Sequence, residues 1–128
     1  MKENKLTIII NKSASEVFNF GLNPINTPSW VDSIIHEEVD GFPIKEGTIY
    51  RHTNPDGEWS EYVVSRFKEN EMFELTKKNS AYRVMYTFKP ISETQTELNY
   101  FERMEEGKLT ELFQIKSLEK LKKIVEAQ

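Results

Sequence analysis

From residue 48 to residue 103 the sequence alternates between apolar and polar positions almost without a break. From residue 108 to 126 the alternation gives way to three- and four-residue steps. A period of two sends successive side chains to opposite faces of a strand, and the longer period lines one stripe of a helix. Tyr82, Val84, Tyr86 and Phe88 alternate with Arg83, Met85, Thr87 and Lys89. Thr96, Leu98, Tyr100 and Glu102 alternate in the same way with Glu97, Asn99, Phe101 and Arg103. The pattern predicts strands over 48–53, 58–67, 73–77, 82–88 and 96–103, a meander with one packed and one wetter face. Asn54-Pro-Asp-Gly57 supplies a turn between the first two, because proline fixes φ and glycine accepts a positive φ.

Leu109, Leu112, Phe113, Ile115, Leu118, Leu121, Ile124 and Val125 mark the stripe of the final helix. Over 108–126 it would be about 28 Å long, the one element able to cover the apolar face of a curved sheet. At the other end, residues 5–11 read as a strand with Leu6, Ile8 and Ile10 on one face. Ser13-Ala-Ser-Glu16 has the spacing of a capping box and opens a short helix that buries Val17, Phe18 and Phe20 and ends near Gly21. After Asn23-Pro24, Pro28 fits the first turn of a second short helix carrying Trp30, Val31, Ile34 and Ile35. Neither helix is long enough to stand alone, so both must lie on an apolar surface. The expected fold is α+β: two short helices after the first strand, then an antiparallel sheet of six to seven strands wrapped around a long C-terminal helix.

Composition enters as a filter on function. A chain of 128 residues should form one domain, residues 1–128, and bury roughly 68% of its unfolded surface. The net charge of −4 and the scattered lysines and arginines argue against nucleic acid, which requires a basic patch. The densest group, Lys116, Lys120, Lys122 and Lys123, falls on the outer side of the final helix and reads as a solvated face. With no cysteine, disulfides, thiolate metal sites and cysteine nucleophiles are excluded. The first apolar run, Ile8-Ile9-Ile10, is too short for a signal-peptide core or a membrane span, so a cytoplasmic location is expected. His36, at the end of a helix, and His52, on a strand, lack metal-ligand spacing, and no nucleotide or nucleophile-elbow motif occurs. The expectation is therefore no metal and no cofactor.

The element order resembles the helix-grip fold of the START-type ligand-binding superfamily (SRPBCC), most closely its polyketide cyclase/dehydrase-like branch. The likeness is carried by residues 13–20, by Asn23-Pro24 with Pro28-Ser-Trp30, and by Gly47-Thr-Ile-Tyr-Arg51. It continues through residues 63–70, Tyr86-Thr-Phe-Lys-Pro90 and Thr96-Glu-Leu98, and so runs over essentially the whole chain. The resemblance implies a hydrophobic cavity between sheet and last helix, of the kind used for lipids, sterols or polyketides. It brings no common catalytic motif, since one fold of this kind hosts many activities.

The residues expected to line that cavity are Tyr50, Trp59, Glu61, Tyr82, Tyr86, Tyr100 and Phe113, amphipathic rings and one carboxylate that could orient a ligand oxygen. The same resemblance implies that Trp30 is a packing peg rather than a ligand contact. Strand parity places Trp59, Glu61, Val63, Ser65 and Phe67 on one face, which turns Glu61 inward, and Glu102 shares a face with Leu98 and Tyr100. A dry cavity of ~300 Å³ would cost up to about 7 kcal/mol, so the pocket should be collapsed, hydrated or occupied. The reading is a binder of a small hydrophobic molecule, monomeric or weakly dimeric. The alternatives are a polyketide cyclase/dehydratase-like enzyme, using an inward Glu61 or Glu102 as acid or base, and a chaperone-activator-like interaction module.

Overall fold

The computed structural model describes residues 2–107, 109 and 112–128. Seven strands form one antiparallel sheet: β1 (Glu3–Ile10), β2 (His36–Val39), β3 (Ile49–Thr53), β4 (Trp59–Lys68), β5 (Met72–Lys77), β6 (Tyr82–Ser92) and β7 (Gln95–Met104). Their order is β1-β7-β6-β5-β4-β3-β2. Strands 2 to 7 lie in sequence order, as hairpins require, and β1 closes against β7. The first two strands therefore occupy opposite edges, and the chain between them has to cross the sheet. It does so as α1 (Ala14–Leu22), which packs against β6, β7 and the C-terminal helix α2 (Ile115–Glu126). This is the helix-grip arrangement expected from the sequence.

The capping box forms. The Glu16 amide donates to Ser13 Oγ at 3.2 Å, and the Ser13 amide donates to the Glu16 carboxylate at 3.4 Å. Val17, Phe18, Phe20 and Leu22 are buried beneath the helix. Phe18 is the pivot: its ring meets those of Phe67, Phe73 and Phe88 edge-on, with centroids 5.3–5.8 Å away, the geometry aromatic quadrupoles favour.

Three expectations need correction. The second short helix is a single 3-10 turn, Thr27–Ser29. Trp30 and Val31 beyond it are buried, but Ile35 is exposed and its amide donates to the Thr53 carbonyl at 2.9 Å. Pairing with β3 has displaced helical bonding there, so His36 begins an edge strand instead of ending a helix. The C-terminal helix is also shorter, 12 residues and about 18 Å. Of the expected extra turns, residues 108, 110 and 111 lie outside the described residues. At Phe113 the backbone is held from across the fold, its amide by Glu102 and its carbonyl by Asn4, bonds a helix would have to break.

The third correction concerns parity in β4. Tyr62 and Val64 face the core, and the register slips between Val64 and Arg66. This bulge places two residues against one and brings Phe67 back to the same inner side. Counting backward from Phe67 without the bulge therefore assigns Trp59 and Glu61 to the wrong face.

Candidate functional site

The ladder registers lay the inward side chains in rows across the sheet. One row runs Asn4, Glu102, Val84, Leu75, Val64, and the next runs Leu6, Tyr100, Tyr86, Phe73, Phe67. At the β2 edge Glu37 stands opposite His52 and Val39 opposite Tyr50. Aromatic rings thus occupy the middle of the concave face, with a polar group at each flank.

Between these rows, the 3-10 turn and the approach to α2 lies a cavity of about 140 Å³. Its aromatic wall includes Trp30, Tyr62, Phe73, Tyr86, Tyr100 and Phe113. Tyr100 and Phe113 stack at 4.4 Å, and Trp30 meets Tyr86 and Phe113 edge-on at 6.2 Å. An engineered apolar cavity of roughly 150 Å³ holds one benzene molecule, so this space is one ring in size. Left dry it would cost about 3 kcal/mol. The same walls continue into a wider groove of about 850 Å³, with Val31, Ser33, Tyr62, Tyr82 and Phe113 lining both.

Two carboxylates sit at the flanks in different circumstances. Glu102 is 1% exposed and fully engaged. It accepts from the Tyr82 hydroxyl at 2.6 Å, from Asn4 Nδ2 at 2.7 Å and from the Phe113 amide at 2.7 Å. Glu37 lines the cavity, accepts the Thr27 hydroxyl at 2.6 Å through one oxygen, and has its other oxygen 3.6 Å from His52 Nδ1. The His52 ring stacks on Tyr62 at 5.1 Å, and Tyr62 meets Tyr82 at 6.3 Å. A polar arc therefore runs Glu37, His52, Tyr62, Tyr82, Glu102 along one wall.

The phenols stay protonated. Burial pushes Tyr62 up to about 12, helped by the neighbouring Glu37 and Glu102. Burial also raises Tyr50 and, assisted by the hydrogen bond to Glu102, Tyr82. Tyr86 and Tyr100 are raised well above the usual phenol, again chiefly by burial. All five are phenols, not phenolates, at neutral pH. Tyr50 already spends its hydroxyl on the Leu22 carbonyl, one of the carbonyls α1 leaves open at its end. The Trp30 indole N–H is the one buried side-chain polar atom among the described residues that has no hydrogen-bond partner.

Of the residues expected at the site, Tyr50, Tyr82, Tyr86, Tyr100 and Phe113 come together around the cavity. Trp59 and Glu61 do not. Trp59 is 56% exposed beside His36, and Glu61 pairs with Arg51 and Lys78 on the outer face. The sequence reading missed Glu37, His52, Thr27 and the role of Trp30 as wall. Glu37 lies in His36-Glu-Glu-Val39, a strand with no apolar alternation to announce it. Among the described residues, no group of three or more His, Cys, Asp or Glu is placed to hold a metal ion, and no helix is long and apolar enough to cross a membrane.

No family model and no curated protein matches the sequence. Solved structures do match its fold. The XoxI protein of Bacillus cereus superposes with a TM-score of 0.74 at 14% identity, over 98% of this chain and 96% of that one. The di-domain ARO/CYC BexL of the BE-7585A biosynthetic pathway gives 0.66 at 11% identity, over 81% of this chain and 36% of its own. Thalictrum norcoclaurine synthase, a point mutant in complex with a transition state analogue, gives 0.65 at 11% identity, over 97% and 93%. At such identities the likeness is one of fold.

Proposed function

We propose that this chain is a START-like binder that takes a small, mostly apolar molecule into the cavity between sheet and C-terminal helix. The observation that carries the proposal is the 140 Å³ cavity walled by aromatic rings and continuous with the outer groove. Its polar flanks and the free indole N–H of Trp30 give a bound molecule fixed points for hydrogen bonding. Tyr82, Tyr86, Tyr100 and Phe113 are the proposed contacts, with Tyr50 contributing its ring. The size of the space favours a single ring over a sterol, a long acyl chain or a multi-ring polyketide. A larger molecule would have to extend past Phe113 into the outer groove.

The test is a thermal-shift screen of one-ring aromatic compounds, followed by two-dimensional NMR on any hit. A ligand at 100 times its Kd adds ~2.7 kcal/mol, several degrees for a domain of this size. Flat melting curves, with no movement of the Trp30 indole signal, would reject the binder.

A second reading, catalysis, draws on one observation: the carboxylate–imidazole pair Glu37–His52 beside the cavity, 3.6 Å apart, has the form of an oriented general base. It predicts chemical change of a bound molecule, read by mass spectrometry, that Glu37→Gln slows.

A further inference from the structure

We propose that the cavity selects small aromatic molecules bearing a protonated amine and rejects those bearing a carboxylate. The inference rests on the binder reading and names the ligand's polar group.

Among the described residues lining the cavity there is no lysine and no arginine; the side chains there that can carry charge are Glu37 and His52, apart from the tyrosine phenols. The Glu37 side chain is 7% exposed. A carboxylate offers about four acceptor positions, and this one has a single short bond, from Thr27, plus the longer approach of His52. Acceptor capacity remains on the cavity side of the fold. Glu102 differs, since three donors already occupy it.

A ligand carboxylate in this space would be desolvated beside Glu37 without a counter-charge from lysine or arginine, an arrangement proteins avoid because a buried unpaired charge is so costly. An ammonium group would gain Glu37 as counter-ion within a wall of aromatic rings that includes Trp30, Tyr62 and Tyr86, ring types that attract cations. The same charge bears on the tyrosines. After burial, the charge of Glu37 is a further cause that raises Tyr50, Tyr62 and Tyr86. A potential that opposes phenolate favours a cation. Lys77 and Lys116 line the outer groove and not the inner cavity.

The experiment compares benzylamine, benzyl alcohol and benzoate, equal in ring size, by NMR titration of the native protein at pH 7. The Trp30 indole N–H signal serves as the internal reporter, since amines can also gather weakly on the acidic surface. Benzylamine is expected to shift that signal and to bind about tenfold more tightly than the alcohol, with benzoate leaving it unmoved. Glu37→Gln should bring amine and alcohol to equal affinity. Benzoate binding as well as the amine, or the alcohol binding alone, overturns the amine preference and leaves the binder reading intact. Failure of all three to move the Trp30 signal overturns the binder reading itself. The native ranking decides the matter even if the variant does not fold.

Discussion

Tyr82 donates its hydroxyl to Glu102 at 2.6 Å although the two are not paired in the ladder. Glu102 stands opposite Val84, and Tyr82 opposite Met104, so the bond runs along the diagonal. Diagonal neighbours are 7–8 Å apart at the backbone, a gap that only long side chains close. Here it ties the end of β6 to the carboxylate that also holds Asn4 of β1 and the backbone at Phe113. One buried acid thus joins the sheet edge, the polar arc and the approach to α2.

Removing that acid should be expensive. Glu102→Ala takes a shared buried acceptor from three part-buried donors and is expected to cost about 3–5 kcal/mol, in line with the breaking of a buried charged network. Glu102→Gln keeps the shape and one acceptor oxygen and should cost about 1–3 kcal/mol. Urea denaturation measures both. Amide exchange at Phe113 should accelerate more in the alanine variant than global stability alone explains.

The Ser13 cap gives a smaller effect that depends on pH. Ser13→Ala should cost about 1 kcal/mol. The Ser13 hydroxyl, then its amide, hold the Glu16 carboxyl below the usual carboxylate range. Stabilisation from a lowered carboxyl is present above the unfolded value and is lost as pH falls. The parent should therefore lose stability between pH 5 and 3 more steeply than Ser13→Ala, in denaturation midpoints across that range.

The cap, the first strand, the meander and the apolar stripe of α2 were legible because each rests on local chemistry: a capping pair, a turn at proline and glycine, a period. What escaped depended on distant partners. Ile35 takes the Thr53 carbonyl, which makes a strand where the sequence suggests a helix. Phe113 gives its amide to Glu102, which shortens α2. The bulge after Val64 resets parity in β4, and with it the positions of Trp59 and Glu61. Glu37 enters the site solely through register with His52. Five of the seven expected wall residues lie on segments whose period is unbroken or whose inward ring faces one that is.

Alkaline pH should destabilise the fold through all five tyrosines. Each is held protonated beyond the usual phenol range by burial. Their contribution is complete below pH ~10, where both states keep the proton. Above it the unfolded chain releases protons that the folded chain retains, so stability falls by about 1.4 kcal/mol per pH unit for each such phenol. Denaturation midpoints should be flat in this respect to pH 9 and drop sharply by pH 11. Phenolate absorbance should rise together with unfolding; a gradual rise in the native state would show the rings to be solvated.

The two tryptophans supply separate reports on the site. Trp30 is 1% exposed within the cavity wall, and Trp59 is 56% exposed on the outer face. Trp59→Phe should leave blue-shifted emission that resists acrylamide, and Trp30→Phe should leave red-shifted, easily quenched emission. Trp30→Phe also removes a buried N–H that has no partner. An orphaned donor costs about 1–3 kcal/mol, so its removal offsets part of the packing lost with the larger ring. The net cost should stay below the 3–5 kcal/mol typical of truncating a buried tryptophan to alanine. A molecule entering the cavity must then change the emission of Trp59→Phe and leave that of Trp30→Phe unaltered. The opposite result would place the bound molecule on the outer face, beside His36 and Trp59, away from the rings of the concave side.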